Sequence, residues 1–196
     1  MIDALVNVNR FDLLVILFAL GMFVLGFIQG TIRRVLGLAS MLFSFLFAAN
    51  LRGPLGNYLA QNWNDFPDEY AVMLGFLIVF VAATIAFTVV IQGFYHKQEL
   101  FQKASFLDEL IGGILGVVQA LFLIGFVIII LDSFFRIPTV PKSPNEFGWL
   151  RGAFELIDPS GTANLFRSRL IPGFVTVFGL LIPRDIQAFY LAVPPG

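Results

Sequence analysis

The sequence predicts an all-α integral membrane protein, with four transmembrane helices followed by a proline-rich, partly amphipathic helical C-terminal tail. Three observations lead to this fold class. Only 13% of the 196 residues are charged and 58% are hydrophobic, whereas about 25% of the residues in a soluble domain are charged. Several apolar runs approach the ~20 residues that a helix needs to cross a bilayer. These runs do not alternate with polar residues, as the strands of a membrane barrel would.

The first predicted span covers about residues 10–29 and contains an unbroken apolar run from Leu13 to Ile28. Asn9 fits the N-cap position, and Asp12 lies three residues later, so the two residues fit a capping box. The charge of Asp12 would then favour the positive end of the helix dipole. An ion-coupling role for this carboxylate is the alternative, because ionisable groups near spans often serve ion pathways.

The second and third spans are predicted at about residues 35–51 and 67–92. The second ends where Pro54 and its neighbouring glycines interrupt the apolar pattern, since proline and glycine commonly terminate helices. The third is the clearest of the four, because Thr84 and Thr88 are the only side chains with polar groups in its apolar stretch.

The fourth span is predicted at about residues 105–131. Ser105 and Asp108 fit a second capping box, and an ion-coupling role is again the alternative for the carboxylate. Gln119 lies deepest in this span. An amide at such a position usually forms a hydrogen bond to a neighbouring helix, and lining a pore is the second interpretation.

Glycines recur at a spacing of four in the first and the fourth span. Gly26 and Gly30 form one pair, and Gly112 and Gly116 form the other. Small residues one turn apart allow two helix backbones to approach closely. We therefore expect the first and fourth helices to pack together, either within one chain or across a dimer.

Short loops predict the orientation of the chain. Four basic residues lie in the turn after the first span and in the connection before the fourth: Arg33, Arg34, Lys97 and Lys103. The loop before the third span is acidic instead. Because basic loops remain in the cytoplasm, both termini are expected outside it.

The chain divides by composition into a transmembrane domain, residues 1–131, and an extracytoplasmic or interfacial tail, residues 132–196. Three prolines form an extended connector at the start of the tail: Pro138, Pro141 and Pro144. The apolar residues that follow share one helical face: Trp149, Leu150, Ala153, Phe154 and Ile157. The apolar segment from Leu170 to Ile182 is too short for a fifth span, so it is interfacial, re-entrant or packed on the bundle.

Composition and motifs exclude several classes of function. A net charge of −1 leaves no basic patch for a nucleic acid. The chain lacks cysteine, and its only histidine, His96, lies in a charged loop, so no metal site is expected. Nucleophile and phosphate-binding motifs are also missing. We therefore expect neither an enzyme nor a cofactor.

Two stretches resemble a known bacterial family, the colicin V production (CvpA) proteins. The first stretch begins with Phe11-Asp12-Leu13-Leu14 and continues through its glycines to the basic pair before Val35. The second is the entry to the fourth span, from Leu107-Asp108-Glu109 to Gly112-Gly113 and Gly116. Together they span roughly residues 10 to 131, and the second and third predicted helices between them match mainly in length and apolarity.

The resemblance implies a multi-pass protein of the bacterial inner membrane, acting in colicin V production or export or in envelope maintenance. A scaffold or assembly factor fits the glycine pairs and the tail. A small transporter or channel subunit, using Asp12, Asp108 and Gln119, is the alternative. The expected partners are the lipid bilayer, envelope or secretion proteins and a second copy of the chain.

Overall fold

The computed structural model describes residues 9–62, 67–94, 105–136 and 146–191. Several residues used in the sequence predictions lie outside these ranges: His96, Lys97, Lys103, Pro138, Pro141 and Pro144.

Four long helices form the body of the described chain, and each is long and apolar enough to cross a membrane. Their bounds are α1 Arg10–Gln29, α2 Thr31–Asn62, α3 Asp68–Phe94 and α4 Ser105–Phe135. No strand occurs within the described ranges. The predicted fold class, an all-α membrane protein, is confirmed.

Helix α2 differs from its prediction. It was expected to end near residue 51, but it continues through Pro54 to Asn62. A proline within a helix costs about 3 kcal/mol or more, and packing on α3 offsets this cost. Gly56 lies directly against the backbone of Val72, and Leu59 is buried. Neighbouring helices commonly stabilise a proline inside a membrane span in this way.

The four helices form a bundle with a core of packed phenylalanine rings. Helix α1 runs antiparallel to α4, α2 runs antiparallel to α3, and α2 lies parallel beside α4. At the centre, the rings of Phe45 and Phe126 stack with centroids 4.0 Å apart, and Phe76 and Phe80 pack around them. We call the end of the bundle with Gly30 the turn end, and the end with Phe135 the tail end.

The C-terminal tail is helical and packs on the bundle. Helix α4 ends four residues later than predicted, at Phe135. The tail elements are α5 Gly148–Ile157, α6 Gly161–Leu165, a π-helical turn Phe166–Leu170, α7 Ile171–Phe178, a 3₁₀ turn Gly179–Leu181, and α8 Arg184–Leu191.

Helix α7 packs against the side of the bundle, one of the three arrangements expected for this segment. Ile171 and Val175 are buried. The ring of Phe174 lies 5.4 Å from that of Phe126 and 5.8 Å from that of Phe45. The contact is therefore formed along the spans and not at their ends.

Helix α5 is amphipathic, with one departure from the predicted face. Leu150 and Ile157 are buried, and the ring of Phe154 stacks on that of Phe135 at 5.1 Å. Trp149 was assigned to the same face but is 67% exposed. Leu150, Phe154 and Ile157 follow one another at spacings of four and three and form an apolar stripe. Trp149 lies at the edge of that stripe.

Candidate functional site

The predicted glycine pairs lie at the contact between α1 and α4. A Cβ atom at Gly26 would collide with the backbone of Gly112, and one at Gly116 would collide with the backbone of Met22. The two helices approach so closely because these positions carry no side chain. Of the two arrangements expected, this structure contains the one within a single chain.

Gly30 alone joins α1 to α2. Its N–H donates to the carbonyl of Gly26 at 3.0 Å and ends α1, and α2 begins at the next residue. Its φ of 76° lies in the region that favours glycine. The carboxylate of Asp108 fills the space where a side chain at this position would begin.

Two hydrogen bonds join α2 to α4 in the half of the bundle nearest the turn end, and we call the four residues that form them the Arg34 cluster: Thr31, Arg34, Asp108 and Gln119. The hydroxyl of Thr31 donates to the carbonyl oxygen of Asp108 at 2.9 Å. The guanidinium Nη1 of Arg34 donates to the side-chain carbonyl of Gln119 at 2.8 Å. Arg34 is 5% exposed and Asp108 6% exposed. The adjacent Arg33 is only half-buried.

The Arg34 cluster is incompletely satisfied. Within the described part of the chain, neither Nε of Arg34 nor Oδ1 of Asp108 has a hydrogen-bond partner. A buried polar atom without a partner costs about 1–3 kcal/mol, and more when it is charged. Asp108 was predicted to cap its own helix, but its carboxylate instead lies against Gly30. Gln119 bonds across helices, as expected for an amide in a span.

Asp12 also contacts a different helix from the one expected. Asn9 caps α1, accepting from the N–H of Phe11 at 3.0 Å. The Asp12 carboxylate accepts from the N–H groups of Gly161 at 3.2 Å and Thr162 at 2.8 Å. It therefore ties the start of α1 to the tail. Asp12 lies at the tail end and Asp108 at the turn end, so the fold does not bring the two together.

A second polar group, the Asp132 cluster, fixes the tail to α4: Asp132, Asp158, Arg167 and Tyr190. Asp132 is fully buried. Arg167 donates to both of its carboxylate oxygens, from Nε at 2.8 Å and from Nη2 at 2.6 Å. The hydroxyl of Tyr190 donates to the same carboxylate at 2.8 Å. Asp158 accepts from Nη1 of Arg167 at 2.8 Å.

The surroundings of the Asp132 cluster keep Arg167 charged and the Tyr190 hydroxyl protonated. Burial disfavours the charge on Arg167, but hydrogen bonds and charge attraction from Asp132 and Asp158 outweigh it and raise the pKa of the guanidinium. Burial, together with the charge and hydrogen bond of Asp132, raises the pKa of the Tyr190 phenol. Both groups therefore remain hydrogen-bond donors to a buried carboxylate.

A further set of contacts holds the end of the tail. The buried Arg52 of α2 pairs with Asp185 of α8, and its guanidinium also lies 5.6 Å from the ring centre of Phe76. The side chain of Asn50 donates to the carbonyl of Leu181 at 3.0 Å. With Asp12 and Asp132, these contacts attach the tail to α1, α2 and α4.

Sequence reasoning missed the Asp132 cluster and the burial of Arg34. From the sequence alone, Asp132 is the first residue of the tail, and Arg34 belongs to a basic turn that indicates topology. The sequence does contain a signal for the Asp132 cluster, because Asp132 directly follows a long apolar run. An ionisable residue within a span usually pairs with another polar group and indicates a functional site, and the run could have been extended to include Asp132.

The described residues offer no metal site, since no group of three His, Cys, Asp or Glu side chains lies close enough to hold an ion. The polar residues that the fold does gather form ion pairs and hydrogen bonds between helices. Their arrangement fixes the positions of helices relative to one another.

Comparison with known proteins identifies the family of this chain. Residues 11–177 match the model of the Colicin V production protein family. No curated protein and no solved structure matches the chain. The family match extends from the start of α1 into α7, and thus includes the glycine contact, the Arg34 cluster and most of the Asp132 cluster. The chain therefore belongs to the Colicin V production protein family.

Proposed function

We propose that this protein is a scaffold or assembly factor of the bacterial inner membrane, acting in colicin V production or export or in envelope maintenance. The observation that carries the proposal is the Asp132 cluster. It joins the tail to the bundle through a buried carboxylate held by three hydrogen bonds. Such a fixed tail offers partners a preorganised surface, which lowers the entropy cost of binding.

The surface at the tail end has the composition of a binding site. Exposed apolar side chains lie on α5 and the 3₁₀ turn: Trp149, Leu180 and Leu181. Tryptophan is among the residues that contribute most to binding energy at protein interfaces. An aromatic side chain left exposed on a fixed helix is therefore a suitable contact for an envelope or secretion protein.

The proposed orientation places this surface outside the cytoplasm. Arg33 and Arg34 lie at the turn end, opposite the tail. Basic residues beside spans favour the cytoplasmic side. With the turn end inside, the tail end and both termini lie on the periplasmic side, where envelope proteins are accessible.

Photocrosslinking tests the scaffold proposal. A photoreactive amino acid at Trp149 should capture a specific envelope or secretion protein in intact cells. The matched control is the same group at Leu150, which is 3% exposed on the same helix and should capture none. Equal patterns from the two positions, or none from Trp149, would contradict the scaffold.

A small transporter or channel subunit is the second candidate, and the Arg34 cluster favours it. Buried ionisable groups within spans commonly mark ion or solute pathways. Liposomes containing only this protein should then conduct ions, and Asp108→Asn and Gln119→Leu should each reduce the flux about tenfold or more, whereas Asp12→Asn at the opposite end should not. An absence of flux in the wild-type liposomes would eliminate this candidate.

A further inference from the structure

An apolar groove runs along the outside of the bundle between α4 and α7. Its volume is about 340 Å³, within the range of about 300–1,000 Å³ that is typical of small-molecule pockets. The walls are almost entirely apolar and include Val118, Phe122, Gly125, Leu170, Gly173 and Val177.

The groove lies at the depth of the lipid chains. Its wall on α4 extends from Ile129 to Val118, which at 1.5 Å per residue is roughly 5 to 20 Å below Asp132 along the helix. Because α4 is one of the membrane spans, this wall lies within the hydrocarbon layer. Val177 on the opposite wall is 76% exposed, so the groove opens sideways toward lipid.

A polar pocket of about 580 Å³ lies above the groove at the tail end, with Arg136, Asn164, Arg167 and Ser168 among its walls. One face of α4 carries four groove residues at spacings of three or four: Ile129, Gly125, Phe122 and Val118. Arg136 follows seven residues after Ile129, in the turn directly after α4. The π-helical turn borders both spaces. Phe166 and Leu170 line the groove, whereas Arg167 and Ser168 line the pocket.

Three charged side chains are among the described residues that line the pocket: Arg136, Arg167 and the acidic Asp158. Arg167 is already bound by Asp132 and Asp158. Arg136 is exposed, and in the part of the chain that the structure describes no ion pair or hydrogen bond neutralises it. A guanidinium in this position suits a phosphate, which it binds through charge-assisted hydrogen bonds.

We propose that the groove and the pocket together form a binding site for one phospholipid, with an acyl chain along α4 and α7 and the phosphate on Arg136. The apolar walls match the chain and the unneutralised cation matches the headgroup. A lipid bound here would contact α4, the π-helical turn and α7 simultaneously. It would therefore fill the space between the tail and the bundle.

Lipid add-back tests the site and its chemistry. Protein purified in detergent and stripped of lipid is incubated with dioleoyl phosphatidylglycerol, and bound lipid is counted by native mass spectrometry. Diacylglycerol has the acyl chains but no phosphate, and glycerophosphate has the phosphate but no acyl chains. The two partial probes therefore measure the contribution of each part to binding. We expect one retained phosphatidylglycerol and at least about tenfold weaker binding of both partial probes. Equal binding of diacylglycerol would overturn the role of Arg136.

Two variants locate the lipid. A Cβ atom at Gly173 meets nothing within 4 Å, so Gly173→Leu fills the groove without a clash and should weaken lipid binding about tenfold. Gly152→Leu, equally unobstructed but on α5, is its control and should bind normally. Arg136→Gln should weaken binding to a similar extent, with Arg10→Gln at the same end of the bundle as its control.

The same samples identify a different occupant of the groove. If a second copy of the chain occupied the groove, the mass spectrum would show a dimer. Gly173→Leu would then convert the dimer to a monomer and leave lipid binding unchanged. That outcome, or equal lipid retention by Gly173→Leu and Gly152→Leu, would overturn the proposal.

Discussion

Replacing Gly26 by leucine should separate α1 from α4 and destabilise the bundle by at least about 3 kcal/mol. Overpacking a tight interface typically costs 1–3 kcal/mol, and more where the structure cannot adjust. Here the side chain would meet the backbone of Gly112 and Gly113. Backbone atoms cannot rotate away as a flexible side chain can, so the whole helix must move. The same change at Gly112 should have a comparable effect.

The control for this prediction lies on the same helix. A Cβ atom at Gly21 meets nothing within 4 Å, so Gly21→Leu adds the same side chain without a clash. Unfolding titrations in detergent, monitored by circular dichroism, should show a large loss of stability for Gly26→Leu and almost none for Gly21→Leu. Similar stabilities of the two variants would contradict the close packing of α1 on α4.

The glycine contact shows what a local pattern can predict. Gly26 and Gly112 are far apart in sequence, but each belongs to a pair one helical turn apart, and that spacing alone marks a face that can approach another helix. The four spans were predictable for the same reason, because apolar length is a local property. Their extents depend on neighbours, as the continuation of α2 through Pro54 shows.

Contacts between distant polar residues were not predictable from the sequence. Arg34 and Gln119 are 85 positions apart, and Asp132 is 35 positions from Arg167 and 58 from Tyr190. No periodicity connects such residues. Their types show only that each needs a partner when it is buried, and the packing of the helices decides which partner it obtains. The proposal that the tail is a fixed binding surface rests on the contacts of Asp132, which the sequence does not predict.

Replacing Arg167 by leucine should release the tail and destabilise the protein by about 3–5 kcal/mol, the range observed when one partner of a buried ion pair is removed. The Asp132 carboxylate is fully buried, and of its three hydrogen bonds from described residues it would retain the one from Tyr190. The loss should be visible as a lower thermal unfolding temperature and as faster proteolysis of the tail in membrane vesicles.

Two further variants distinguish loss of the buried pair from a general effect of changing the tail. Asp158→Asn removes the partner that is 46% exposed, and exposed ion pairs contribute only about 0–1 kcal/mol. The double variant Asp132→Leu with Arg167→Leu removes the uncompensated charge and should regain much of the stability, since apolar residues often replace a buried pair at little cost. If the double variant lost as much stability as the single variants Asp132→Leu and Arg167→Leu lose together, the two residues would be energetically independent. The tail would then be held mainly by the apolar contacts of α7, and the Asp132 cluster could no longer carry the scaffold proposal.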